Sequence, residues 1–178
     1  FEIGMSKKGE IRNLSKIVRP EIAVITNISE AHIENFNTIN DIAKAKAEII
    51  DNITNDGHII LNKDDKFFNF LSNKAKKKEI NIISFSQNKK SDIFLSSVVK
   101  KKNFYQLKIV VKDKDFYFDT KNKSSNLIIN ILACVSILSA LDLNLKKMKK
   151  KFMNFKIPEG RGDVKIIKKF NKKFKFID

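Results

Sequence analysis

The chain has 178 residues, with 36 Lys and Arg against 20 Asp and Glu, for a formal net charge of +16. Apolar residues make up 42%, enough for a packed core, while one Cys and two His exclude a disulfide framework within the chain and a Cys/His zinc finger. The richest apolar run, 127–145, is broken by Asn130, Ser136, Ser139, Asp142 and Asn144, short of the roughly 18 consecutive residues of a membrane helix.

Gly9 to Val18 carries Ile11, Leu14, Ile17 and Val18 at helical spacing, and Pro20 ends the pattern. Glu21 to Thr26 is a short β-branched run that predicts a buried strand. Asn27 to Asn40 reads as a polar loop with two candidate helix caps, Thr38 and Asn40. Asp41 to Ile53 then predicts a helix with Ile42, Ala45, Ile49, Ile50 and Ile53 on one face. A turn at Asn55-Asp56-Gly57 leads to a strand over 58–62. Asp64 and Asp65 suit a helix N-terminus, with the helix running to about Lys77. Ile80 to Phe85 is the next strand. This alternation predicts an α/β fold with a mostly parallel central sheet flanked by helices.

The second half changes character. Segments 92–101, 105–112 and 115–119 predict three short strands, with Leu107, Ile109 and Val111 alternating with Lys108, Val110 and Lys112 as in a small, half-exposed antiparallel subsheet. A helix is expected over 126–141 and a shorter, lysine-rich one over 145–155. Pro158 to Gly162 has a hinge composition, followed by a hairpin pattern over 164–168 and 174–177. These features place a domain boundary near Gly160, dividing the chain into 1–159 and 160–178. The chain opens Phe1-Glu2-Ile3 without Met and closes on a strand pattern, so it reads as part of a longer polypeptide.

The charge invites a nucleic-acid reading. Yet only Arg12, Arg19 and Arg161 are arginine, the residue suited to bidentate phosphate and base contacts. Abundant Lys, Asn, Ile and Phe all have AT-rich codons, so the lysines are read as a solvated surface, with nucleic acid the rival partner.

Three segments could carry chemistry. Thr26 to His32 is a polar loop directly after a buried strand, where open α/β sheets bind ligands, and His32 is a candidate metal ligand or acid–base group. The alternative is a loop histidine bonded to backbone. In Ala43-Lys44-Ala45-Lys46-Ala47-Glu48, small residues let a lysine approach packed backbone, against an ordinary solvated face. In Gly160-Arg161-Gly162, an arginine at a hinge can reach phosphate, against a flexible linker. Glu2 alone is uninformative. Cys134 reads as a small buried residue, and His58 as structural.

Taken together, Glu2-Ile3-Gly4, Gly9-Glu10-Ile11, the run from Arg19 through Ile28, Ala31-His32 and Ala43 to Ile49 resemble the central domain of Mur ligases. Leu61 to Asp65, Asn126 to Ala133 and Gly160-Arg161 fit the same family in order. The pattern is most similar to the branch that adds D-alanyl-D-alanine. The resemblance implies an ATP-dependent ligase of peptidoglycan synthesis. It would form an amide through an acyl phosphate, with ATP and Mg²⁺ as cofactors and UDP-N-acetylmuramoyl-tripeptide and D-alanyl-D-alanine as substrates. It also implies a cytoplasmic location and no membrane partner.

By the same resemblance Glu2 and His32 are Mg²⁺ ligands, and Lys46 is the lysine that becomes carbamylated, supplying anionic oxygens where an ammonium would repel the cation. Asn130 is implied to contact adenine, and Arg161 to meet the ATP phosphates. Asp178 lies beside the ribose-contacting position.

Some features depart from the family pattern. No G-x-x-x-x-G-K-[ST] phosphate loop occurs, so the chain by itself is not expected to turn over ATP. Asn126 stands where many relatives have His. Residues 160–178 are expected to open a C-terminal α/β domain. Folylpolyglutamate synthase-like and cyanophycin synthetase-like ligases keep the chemistry with another substrate.

Overall fold

A computed structural model describes residues 1–30, 35–155, 164–169 and 172–177. The elements in chain order are α1 (Glu10–Val18), β1 (Ile22–Ile25), α2 (Ile39–Lys46), β2 (His58–Asn62), α3 (Phe68–Lys77), β3 (Asn81–Ser86), β4 (Ile93–Lys100), β5 (Tyr105–Val111), β6 (Lys114–Thr120), α4 (Ser125–Ala140), β7 (Val164–Lys169) and β8 (Lys172–Ile177). Six strands form one sheet in the order β1-β2-β3-β4-β5-β6. The first three pairings are parallel and the last two antiparallel. The expected α/β fold is therefore present. The antiparallel strands extend the same sheet, because β4 pairs with β3 through Phe85↔Ile93 and Ser86↔Phe94. β7 and β8 form a separate antiparallel pair.

The alternation of side chains along a strand assigns successive residues to opposite cores. In β2, Ile59 and Leu61 join the core built with α1, α2 and α3, while Ile60 joins the core under α4. All three are fully buried, which explains the unbroken apolar run of this parallel strand. The chain enters β2 through Gly57, where a Cβ would lie 2.6 Å from Ile53 Cγ2 and 2.8 Å from the carbonyl oxygens of Glu21 and Thr54. Only glycine fits that approach without moving backbone.

α2 starts at Thr38, whose Oγ1 accepts from the Asp41 N–H at 3.2 Å, so Thr38 is the cap rather than Asn40. The helix expected over 41–53 tightens into a 3-10 turn at Ala47–Asn52. The other predicted strands and the apolar α4 fall within a residue or two of their expected bounds.

Three expectations are corrected. On α1, Ile11 is buried, but Leu14 is 44% and Ile17 81% exposed, whereas Ser15 is fully buried. Polar anchors set the rotation of this helix. The buried Glu48 carboxylate accepts from the Gly9 N–H at 2.9 and 3.0 Å and from the Arg12 N–H at 3.1 Å. Asn52 Nδ2 donates to Ser15 Oγ at 2.9 Å and to the Arg12 carbonyl at 3.0 Å.

Next, α3 begins at Phe68, because Asp64 and Asp65 form the turn before it instead of its first helical turn. Lastly, 145–155 holds two 3-10 turns, Leu145–Met148 and Lys151–Asn154, in place of one helix. Lysines at 146, 147, 149, 150 and 151 repel one another, and only Leu145 and Phe152 are buried in these turns to offset that. The hinge-like segment around Gly160 lies outside the described residues.

Candidate functional site

The carboxyl ends of β1, β2 and β3 converge, and their loops are tied together by side chains distant in sequence. After β1 the chain leaves the sheet as Thr26-Asn27-Ile28. Asn62, the last residue of β2, donates through Nδ2 to the Thr26 carbonyl at 3.0 Å. Lys46 Nζ, from the last turn of α2, donates to the Asn27 carbonyl at 2.9 Å. Asp65 Oδ2 accepts from the Ile28 N–H at 2.6 Å.

Asp64 organises the neighbouring loop. Its carboxylate accepts from Ser86 Oγ at 2.8 Å and from the Gln87 N–H at 2.6 Å. Gln87 Oε1 in turn accepts from Ser125 Oγ at 2.9 Å, which ties the start of α4 to the end of β3. Asn130 is exposed one and a half turns into α4, on the same side of the helix as exposed Asn126.

Lys46 is half-buried, whereas Lys44 is exposed and faces Asp41 at 3.8 Å. Burial pulls the Lys46 pKa below the ordinary lysine value, and the nearby Asp65 carboxylate opposes that pull. A larger share of the side chain is therefore the neutral amine at a given pH. That is the nucleophilic form that CO₂ requires to give a carbamate.

Glu2 is exposed in the irregular segment ahead of α1. Among the described residues no group of three or more His, Cys, Asp or Glu could hold a metal ion. His32, Arg161 and Asp178 lie outside the described residues; among the described residues the structure brings Lys46 to the β1 loop. A groove of about 690 Å³ lined by Lys16, Arg19, Asp51, Asn52 and Thr54 opens at the other end of the strands, away from Lys46, and holds none of the expected site residues.

Sequence reasoning missed the role of Glu48. Its signal was a carboxylate with Ala47, Ile49 and Ile50 beside it, a charge in an apolar stretch that must find donors when buried. It also missed the division of labour between Asp64 and Asp65, whose partners lie 22 and 37 residues away in the chain.

The fold and these loop ties define an α/β domain with its polar apparatus at the carboxyl edge of a parallel sheet. The family model of the Mur ligase middle domain matches residues 1–138, and the chain belongs to the Mur ligase family. Among curated relatives it is 41% identical over 83 residues to the UDP-N-acetylmuramoyl-tripeptide--D-alanyl-D-alanine ligase of Rickettsia prowazekii, covering 47% of this chain and 18% of that protein. It is 48% identical over 60 residues to the ligase of the same name from Bacillus subtilis, covering 34% of this chain and 13% of that one. The chain therefore aligns with less than a fifth of the length of these relatives.

Among solved structures, MurF from Acinetobacter baumannii superposes with a TM-score of 0.81 at 26% identity, covering 97% of this chain and 37% of that one. MurF from Thermotoga maritima in complex with ADP shares the fold, with a TM-score of 0.76 at 22% identity over 92% of this chain and 37% of that one. No helix among the described residues is long and apolar enough to cross a membrane.

Proposed function

We propose that this chain is the central part of an ATP-dependent ligase that joins D-alanyl-D-alanine to UDP-N-acetylmuramoyl-tripeptide in the cytoplasm. The observation that carries the reading is the half-buried Lys46 amine, held on the Asn27 carbonyl at the carboxyl end of the parallel sheet. The names of the relatives supply the substrate pair.

In this reading the tripeptide carboxylate takes the γ-phosphoryl group of ATP, releasing ADP. The amine of D-alanyl-D-alanine then attacks the acyl phosphate and expels phosphate. Negative charge gathers on phosphoryl oxygens, so cationic groups do most of the stabilising. Glu2, His32 and carbamylated Lys46 would hold Mg²⁺, which neutralises that charge. Lys46 reacts as the free amine with CO₂, loses one proton to water and keeps one N–H on the same nitrogen. Arg161, in the segment between residues 1–159 and the C-terminal unit, reaches the ATP phosphates. Asn130 presents a carboxamide, both donor and acceptor, to the adenine edge.

The test is ADP release by the polypeptide of the complete reading frame. Sustained, multiple-turnover ADP release should require both substrates and Mg²⁺, and His32→Ala should abolish it. Sustained ADP release that ignores D-alanyl-D-alanine, or that persists in His32→Ala, refutes the assignment.

A further inference from the structure

Asp65 is bonded through more groups than a turn residue requires. Its N–H donates to the Asn62 carbonyl at 3.2 Å, and its own carbonyl accepts from the Phe68 N–H at 3.1 Å. Oδ1 accepts from the Phe67 N–H at 2.8 Å, a local side-chain turn that leads into α3. This local role accounts for one carboxylate oxygen only. The other, Oδ2, crosses to the β1 loop and accepts from the Ile28 N–H at 2.6 Å, a short charge-assisted bond. Ile28 itself is buried, and this bond satisfies its N–H. The residue just before it, Asn27, carries the carbonyl that receives Lys46 Nζ.

Three successive residues of this loop are gripped from three places: Thr26 by Asn62, Asn27 by Lys46 and Ile28 by Asp65. A loop outside the sheet has no ladder to define its path, so these side chains define it. We infer that Asp65 is a positioning residue for the ligase reaction: by fixing the Ile28 peptide to the start of α3, it holds the Asn27 carbonyl where it orients Lys46 Nζ. The inference rests on the role proposed above for Lys46. It is compatible with both chemical states of that lysine, because the carbamate nitrogen keeps one N–H that can stay on the same carbonyl.

The experiment has two arms. In the first, amide hydrogen exchange is followed by NMR in the complete ligase and in its Asp65→Ala form. Ile28 should exchange at least tenfold faster in the variant, while amides of β5, distant in the sheet, stay unchanged. Equal Ile28 exchange in the two proteins overturns the inference.

In the second, kinetics are measured on the complete ligase and on its Asp65→Ala and Asp65→Asn forms, well below their melting temperatures. Loss of an outer-shell orienting group predicts a fall in kcat on the order of 10–100-fold. The KM for D-alanyl-D-alanine should move less than twofold. Asp65→Asn keeps a carbonyl-type acceptor and should recover part of the loss. An unchanged kcat in Asp65→Ala, or a loss that only tracks the folded fraction, overturns the inference while leaving the ligase reading intact. No substrate-dependent ADP release from the unsubstituted ligase overturns the ligase reading itself.

Discussion

β1 to β3 and β4 to β6 share one sheet, but they gather different kinds of residue. Parallel strands need crossovers, so their loops all leave at one edge and bring together positions far apart in sequence. The ties there join Asn27 to Lys46, Thr26 to Asn62 and Ile28 to Asp65, across separations of 19, 36 and 37 residues. Antiparallel hairpins instead pair sequence neighbours. In β5 and β6, Lys108 faces Asp115 at 2.9 Å across a two-residue connection at Lys112-Asp113, both residues with positive φ. One half can therefore assemble a site from distant parts of the chain, while the other buttresses it. They are joined under α4, where Ile60 of β2 and Phe118 of β6 belong to one core.

The sharpest break between the halves is functional. Lys46→Ala in the complete ligase should lower substrate-dependent ADP release by on the order of 10³-fold or more, the scale of losing a transition-state electrostatic group. Lys108→Ala, in the antiparallel half, should leave that rate unchanged. Steady-state assays of the two variants decide it, and equal losses would erase the distinction.

Stability should show the opposite, shared behaviour. Phe118 is fully buried and meets the Phe152 ring edge-on at 5.7 Å. Phe118→Ala should cost about 3–5 kcal/mol, the range for a buried Phe. Because the core is common to both halves, urea melts followed by near- and far-ultraviolet circular dichroism should still give one transition. Two transitions would mean that the halves fold separately.

Glu48→Ala acts on the parallel half alone. It removes the acceptor of the part-buried Gly9 and Arg12 N–H bonds at the start of α1 and should cost about 1 kcal/mol or more, the scale of lost hydrogen bonds to a charged group. Faster amide exchange within α1, without change in β5, would locate the effect.

The smallest effect is the ion pair of the other half. Asp115 raises the Lys108 pKa through its hydrogen bond and its charge. A lysine held above its ordinary value contributes stability that is fully present at neutral pH and lost as the pH rises through the elevated value. Lys108→Ala should therefore lower stability slightly at pH 7, where the contribution is whole, and the two proteins' melts should converge as the pH rises through the elevated value. Because this pair is solvent-exposed, a large loss at neutral pH would show it to be coupled to the core.

The sequence by itself determined the order and type of the elements. Periodicity is local: the β-branched run at Ile22–Ile25, the continuous apolar run of β2 and the alternation of Leu107, Ile109 and Val111 each state their environment within a few residues. The motif register also singled out Lys46 over Lys44, and Lys46 is the more buried of the two. What failed at α1 and at Asp64 and Asp65 were features decided by distant partners. The apolar spacing of α1 marked Leu14 and Ile17 for the core, but Glu48 and Asn52 turned the helix to bury Ser15. Asp64 and Asp65 carried the composition of a helix start, yet the tertiary structure committed them to loops after β3 and β1.

The physical reason is the same in each case. Burying an apolar side chain is non-directional and leaves a periodic trace, whereas a buried carboxylate must find specific backbone donors, and which donors lie within 3 Å is settled only when the strands are brought side by side.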